Sequence, residues 1–304
     1  MIKEDILKLK EAKNAVILAH YYTIPEVQEI ADFVGDSLFL AQKAHTTDAS
    51  IILFAGVHFM AETAKILNEE KKVIIPDLSA GCSLADSCPA DELAAFLQQY
   101  PDHTVLSYIN CSAAVKTLSD IIVTSGNALK IVEALPKEEK IVFAPDRNLG
   151  AFINRETGRE MVLWNGACHV HDQLTADQIF QLKSEHPEAK VIAHPECKGT
   201  VLALADFVGS TAAMLNFVST DNHQSFIVAT ETGIIYEMEK RNPQKKFYVV
   251  NSLESCSCND CEYMKKNNLE NIYQALLTET PELILDKSVM EEARKPILRM
   301  LSMS

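Results

Sequence analysis

Residues 18–37 read LAHYYTIPEVQEIADFVGDS, and residues 192–211 read IAHPECKGTVLALADFVGST. Aligned without a gap, they share a histidine (His20, His194), an Ala-Asp-Phe-Val-Gly block and a terminal hydroxyl residue (Ser37, Thr211). A third segment, LSYINCSAAVKTLSDIIVTS at 106–125, drops into the same frame, with Tyr108 in place of the histidines and Ser125 in place of Ser37. Tyr108 follows His20 by 88 residues and precedes His194 by 86. One cysteine recurs late in each copy: Cys82, Cys168 and Cys261 are separated by 86 and 93 residues. A period near 86 in a chain of 304 means three copies of one unit, whose equivalent residues can face a common axis.

The period divides the chain near 1–87, 88–172 and 173–304, the last unit carrying extra C-terminal helices. Strands are predicted at 15–19, 33–35, 50–54 and 72–75; at 104–109, 120–124, 140–143 and 160–164; and at 190–193, 206–208, 225–229 and 246–250. Most are short unbroken apolar runs, as in parallel strands buried on both faces. Helical patterns such as EVQEIADF, MAETAKILNEE and IIYEMEKR lie between them at crossover length. The expected fold is α/β: three homologous three-layer α/β/α domains in pseudo-threefold arrangement around a central site. No low-complexity linker separates the units, so they are expected to pack directly on one another.

A formal charge of −14 argues against nucleic-acid or anionic-membrane partners, which favour a basic face. No stretch approaches the roughly 18 apolar residues of a membrane span, and MIKEDILKLKEAKN lacks a signal-peptide core. A soluble cytoplasmic protein is expected. In a reducing compartment, eight cysteines point to metal binding or redox chemistry before structural disulfides.

Ligands of open parallel sheets sit beyond the carboxyl ends of the strands. There the sequence places His20, Tyr21 and Tyr22, then Tyr108 and Asn110, then His194 and Glu196. Ser37, Ser125 and Thr211 are expected to end the second strand of each unit and open the next helix. Free N–H groups at such a start attract carboxylate or phosphate. One such serine is better read as a plain cap; three in register point to binding.

The recurring cysteines follow the last strand of each unit, in PDLSAGCSLADSC, WNGACHVHD and CSCNDCEYM. Three convergent thiolates match a [4Fe-4S] cluster with one iron left open as a Lewis acid. The competing reading is structural zinc on Cys256, Cys258 and Cys261, with Cys82 or Cys168 as fourth ligand, although zinc usually takes two CxxC pairs. A radical-enzyme CxxxCxxC loop is absent. His169 and His171 flank Cys168 and could be ligands themselves, although a place at the surface or behind the ligands is expected. Cys88, Cys111 and Cys197 have no mutual equivalents and read as buried thiols, and KEEK at 137–140 reads as a solvated turn.

The strings LAHYYTIPEVQEIADFVGDS, IILFAGVHFMAETAKIL, PDLSAGCSLADSC, YINCSAAVKTLSD, VFAPDRNLGAFI, HPEC, ADFVGST and ATETGI together resemble the quinolinate synthase family of bacterial and archaeal NAD biosynthesis, across almost the whole chain. The resemblance implies condensation of iminoaspartate with dihydroxyacetone phosphate, with loss of phosphate and water. It also implies a [4Fe-4S] cluster, and L-aspartate oxidase or aspartate dehydrogenase as supplier of the imine. Carried over, it assigns Cys82, Cys168 and one late cysteine to iron. His20, Tyr22, Tyr108, Asn110, His194 and Glu196 would line the cavity, and Ser37, Ser125 and Thr211 would bind anionic groups. Proton transfers would fall to Tyr22 (or Tyr21), Glu196, His20 and His194.

The late cysteine is expected to be Cys261. It opens CEYMKKNNLE, which reads as a helix start favourable to thiolate and is similar to the family's CxxMK segment. Cys256 lies 88 residues after Cys168, closer to the period, and remains the alternative. Whether Cys256 and Cys258 form a redox pair is open. Two rival functions are an aconitase-type hydro-lyase, which would isomerise small hydroxy acids, and an iron–sulfur sensor, which would need a DNA-binding or partner domain.

Overall fold

The computed structural model describes residues 2–250 and 259–304. It contains three four-stranded sheets, parallel throughout. The first holds β1 (Ala15–His20), β2 (Phe33–Gly35), β3 (Ile51–Ala55) and β4 (Lys72–Ile74). The second holds β5 (Thr104–Tyr108), β6 (Ile121–Val123), β7 (Ile141–Ala144) and β8 (Val162–Leu163). The third holds β9 (Lys190–Ala193), β10 (Phe207–Val208), β11 (Ser225–Ala229) and β12 (Lys246–Val249). Every predicted strand is present, within a residue or two at its ends.

The strand orders are β2-β1-β3-β4, β6-β5-β7-β8 and β10-β9-β11-β12, one topology three times. The central strands are the apolar ones: β3, β7 and β11 are buried at every position. Their short runs carry no alternating polar face because helices cover both sides of such sheets. In this order the chain leaves the first strand toward one edge and returns to build the other. The switch therefore lies between β1 and β3, and between their equivalents, where a crevice opens at the carboxyl ends.

The repeat persists to single bonds. Asp32 accepts the Ile17 N–H at 2.8 Å, Asp120 that of Val105 at 2.8 Å, and Asp206 that of Val191 at 2.7 Å. In each case the aspartate's own N–H returns to the carbonyl of the same residue. This two-bond clasp fixes how the edge strand enters beside its neighbour, and it sits in the recurring Asp of the aligned segments.

The C-terminal helices pack back on the earlier parts of the chain. Helix Leu269–Thr278 lies against helix Ile2–Ala12 and β3, and helix Lys287–Met303 against β6 and helices His58–Leu67 and Ala113–Thr117. Between those two C-terminal helices Glu279, at a left-handed φ of 56°, bonds Lys13 at 2.7 Å and Lys72 at 2.6 Å. Those two bonds hold its carboxyl down to about 2, against an ordinary 4.5. A depressed carboxyl contributes stability that is present above its unfolded value and lost as pH falls through the folded one. Glu279→Gln is therefore expected to lower the melting midpoint slightly at pH 7, by about 2 °C or less for an exposed pair. The difference from the parent should close as melts are repeated from pH 5 down to pH 2; a difference independent of pH would contradict the assignment.

Candidate active site

All twelve candidate residues meet in one cavity: His20, Tyr22, Ser37, Cys82, Tyr108, Asn110, Ser125, Cys168, His194, Glu196, Thr211 and Cys261 line it. Residues at the strand ends of all three sheets contribute to its wall. His20 ends β1, Tyr108 ends β5, and His194 follows the last residue of β9. The three equivalent strands thus deliver the three equivalent residues.

The local turns orient these rings. The Tyr22 N–H donates to His20 Nδ1 at 3.1 Å, so the proton of the neutral ring stands on Nε2. Glu196 N–H meets His194 Nδ1 at 3.4 Å in the equivalent place, and His194 Nε2 lies 3.2 Å from Ser125 Oγ. Burial pushes both His20 and His194 down to about 3, so neither ring carries charge at neutral pH. Burial likewise raises the Tyr22 and Tyr108 phenols well above 10, and both stay protonated as donors.

Glu196 is the buried charge of the site. Burial opposes its ionisation, but the neighbouring His171 and hydrogen bonds from His171 and Tyr108 outweigh burial and hold its carboxyl low. Its Oε2 lies 2.6 Å from His171 Nδ1, while Oε1 is buried with no partner among the described residues. Asn110 Oδ1 is likewise buried without a partner among them. Such groups are costly to leave bare and are normally met by a ligand or water.

Of the places expected for His171, the surface is excluded and the one behind the ligands is met: it is 2% exposed, backs Cys168 and also stands in the cavity wall. Its Nδ1 also lies 3.3 Å from Cys168 Sγ, and its Nε2 lies 2.9 Å from Thr230 Oγ1, which meets the Tyr22 hydroxyl at 2.8 Å. A continuous chain therefore joins Glu196 to Tyr22 through His171 and Thr230. The position three residues after Cys168 carried the signal, since it returns a side chain to the same face of a helical turn.

One expectation about the hydroxyl residues is corrected: Ser125 does not open a helix. Ser37 and Thr211 are the first residues of their helices, but the caps are Asp36, bonded to the Phe39 N–H, and Ser210, bonded to that of Ala213. Ser125 lies in the turn before helix Ala128–Ala134, whose N-cap is Asn127. With capping done by their neighbours, the Ser37 and Thr211 side chains turn to the cavity wall, where Thr211 hydrogen-bonds the Tyr22 hydroxyl. Cys88, Cys111 and Cys197 are buried as expected, and 137–140 is a largely exposed turn.

Each cysteine of the cavity occupies one structural position, the N-cap of a four-residue helix: Cys82 before Ser83–Asp86, Cys168 before His169–Asp172, and Cys261 before Glu262–Lys265. Burial raises all three thiols, Cys82 to about 12 and Cys261 to about 11, and neighbouring thiols push Cys82 and Cys168 further in the same direction. A cationic group bound among them would reverse that cost. Among the described residues, the ligand atoms within 4.8 Å of one another are those of Cys168, His171 and Glu196. Cys82 and Cys261 stand outside that group. Three thiolates spread around a cavity suit a larger iron–sulfur cluster. Cys256 and Cys258 lie outside the described residues, and with them the zinc alternative and the redox pair.

Residues 4–302 match the family model described as Quinolinate synthetase A protein. A quinolinate synthase of Synechocystis is 56% identical over 299 residues, covering 98% of this chain and 94% of that protein. Those of Trichodesmium erythraeum and Thermosynechococcus vestitus are 53% and 55% identical, covering 99% and 98% of this chain and 93% and 94% of theirs. No helix among the described residues is long and apolar enough to cross a membrane.

Proposed function

This chain belongs to the quinolinate synthase family, and from that premise we propose how its cavity performs the family's reaction. The enzyme condenses iminoaspartate with dihydroxyacetone phosphate to quinolinate, with loss of phosphate and water. One observation carries the site assignment: twelve residues chosen from three distant copies of a repeat line a single cavity. We read the arrangement as three α/β domains, near 1–87, 88–172 and 173–304, set pseudo-threefold around a [4Fe-4S] cluster held by Cys82, Cys168 and Cys261. When bound there, the cluster supplies an open iron able to polarise a hydroxyl or enediol oxygen.

The chain's own residues do the rest. Both substrates are anionic, and a net charge of −14 repels them at long range, so local donors must hold them. The hydroxyls of Ser37, Ser125 and Thr211, with Nε2–H of His20, form that donor set. Glu196, ionised and with Oε1 free, is the base that removes protons from carbon or nitrogen; Asn110 and Tyr108 orient the substrate. Tyr22, protonated and joined to Glu196 through Thr230 and His171, is the acid that returns a proton to a leaving oxygen. Enclosure between three sheets keeps water from a triose intermediate that would otherwise lose phosphate unproductively.

The direct test supplies the anaerobically purified, iron-loaded protein with dihydroxyacetone phosphate and iminoaspartate made by L-aspartate oxidase or aspartate dehydrogenase. Quinolinate and phosphate are expected in equal amounts; neither product, from protein with full iron content, would reject the reading. An aconitase-type enzyme would instead isomerise hydroxy acids under the same conditions. Ser125→Ala is expected to raise KM for one substrate by about tenfold, the effect of a lost hydrogen bond to a charged group, with iron content unchanged. Unaltered kinetics in alanine variants of Ser37, Ser125 and Thr211 would remove these hydroxyls from binding.

A further inference from the structure

Two charged groups, Glu231 in the cavity wall and Lys265 behind it, tie its cysteine side to its tyrosine side. Glu231 follows β11 by two residues and is 1% exposed. Its Oε1 accepts the Cys261 N–H at 3.0 Å and lies 2.8 Å from Lys265 Nζ, while Oε2 accepts the Gly233 N–H at 2.6 Å. Lys265, one helical turn after Cys261, returns its own N–H to the Cys261 carbonyl at 3.2 Å. Its ammonium reaches across to the Tyr22 carbonyl at 2.8 Å. A single carboxylate–ammonium pair therefore grips both the turn that carries Cys261 and the turn that carries Tyr22.

The contact between those turns is close enough to need glycine. A Cβ on Gly233 would stand 2.7 Å from Tyr22 Cα and 2.9 Å from Glu231 Oε2. Gln28 fastens the same junction from the other side, donating to the Tyr21 carbonyl at 2.9 Å, the Thr23 carbonyl at 2.8 Å and the Gly233 carbonyl at 3.3 Å. The second unit has half of this device: Asp146, two residues past β7, accepts the Cys168 N–H at 2.8 Å and caps helix Arg147–Thr157, without a lysine. The first unit has Val57 at that place.

We infer that Glu231 and Lys265 are positioning residues for the reaction, a strut that sets the Tyr22 hydroxyl relative to the group held by Cys261. The inference rests on the reading of Cys261 as an iron ligand and Tyr22 as an acid. The strut acts on backbone: Glu231 holds an N–H, Lys265 a carbonyl, and neither needs to touch substrate. Its two ends fail differently. Without the ammonium, Cys261 keeps the Glu231 bond and Tyr22 loses its anchor. Without the carboxylate, both ends are freed and the Lys265 charge is left unpaired.

The experiment compares the full-length parent with Lys265→Met, Lys265→Arg, Glu231→Gln, the double variant Glu231→Gln/Lys265→Met, and Cys261→Ser, all purified without oxygen. Iron and sulfide content, melting midpoint, kcat and KM are measured for each. Lys265→Met is expected to keep parental iron and lose about 10- to 100-fold in kcat, the range for partners that orient a reacting or ligating group, with KM changed much less. Lys265→Arg should recover most of that loss. Glu231→Gln should lose iron as well as kcat, and the double variant should lose less than the product of the two singles because they share one strut. Parental kcat in Lys265→Met overturns the inference. So does a loss that arginine fails to rescue, or one that tracks a fall in melting midpoint. Full iron in Cys261→Ser breaks the ligand reading instead, whatever the Lys265 variants do.

Discussion

Cys82→Ser, Cys168→Ser and Cys261→Ser proteins, each purified without oxygen, are expected to lose most of their iron and sulfide and to turn over at least about 10³-fold more slowly. Lewis-acid stabilisation of a leaving or enolic oxygen is worth several kcal/mol, and each 1.36 kcal/mol is a factor of ten in rate. The three losses should be alike, because the three thiols occupy one structural position, the N-cap of a single-turn helix. Serine keeps the cap geometry and removes only the soft ligand, so melting midpoints measured on iron-free protein should scarcely move. Cys88→Ser is the control: that thiol is buried among Leu93, Cys111 and Val115, away from the cavity. A Cys261→Ser protein with a full, active cluster would transfer the third ligand to Cys256 or Cys258.

Glu196→Gln is expected to keep its iron and lose about 10²–10⁴-fold in kcat, the span of a general acid–base contribution. The amide preserves volume and can still accept from His171 Nδ1, now 2.6 Å away, yet it cannot take a proton. Tyr22→Phe should fall in the same range, since it removes the other end of the chain through Thr230 and His171. Combining the two should cost less than the product of the single losses, because residues acting as one unit are not additive. A Glu196→Gln enzyme within about threefold of the parent would assign the base elsewhere, with His171 the next candidate.

The strands were readable because apolar runs with helical patterns between them leave little choice but parallel sheets, and the repeat supplied the register. The cavity wall was readable where equivalent residues sit at equivalent strand ends, as with His20, Tyr108 and His194. What escaped were residues used by one unit alone. Thr230 and Glu231 follow β11, yet the corresponding turn of the first unit offers Gly56 and Val57. A repeat hides such positions because nothing recurs there. For His171 the sequence left the surface and the place behind the ligands open, and packing against Cys168 decided between them. Asp36 and Ser210 cap in place of the residues after them, since Asp-Ser and Ser-Thr pairs give either residue the means to cap.

His20, Tyr108 and His194 are followed at the second residue by Tyr22, Asn110 and Glu196. The backbone treats these three as the same point, yet one is a weak acid, one a neutral amide and one a carboxylate. A ligand that obeyed the scaffold would have to look alike from three directions, and two unlike carbon skeletons being joined do not. Divergence at this single repeated address gives the chamber a handedness that its architecture lacks. Exchanging two of the three, Tyr22→Glu with Glu196→Tyr, would reverse the cyclic order of that pattern while leaving the sheets untouched. The fold would tolerate the reversal far better than the substrates would.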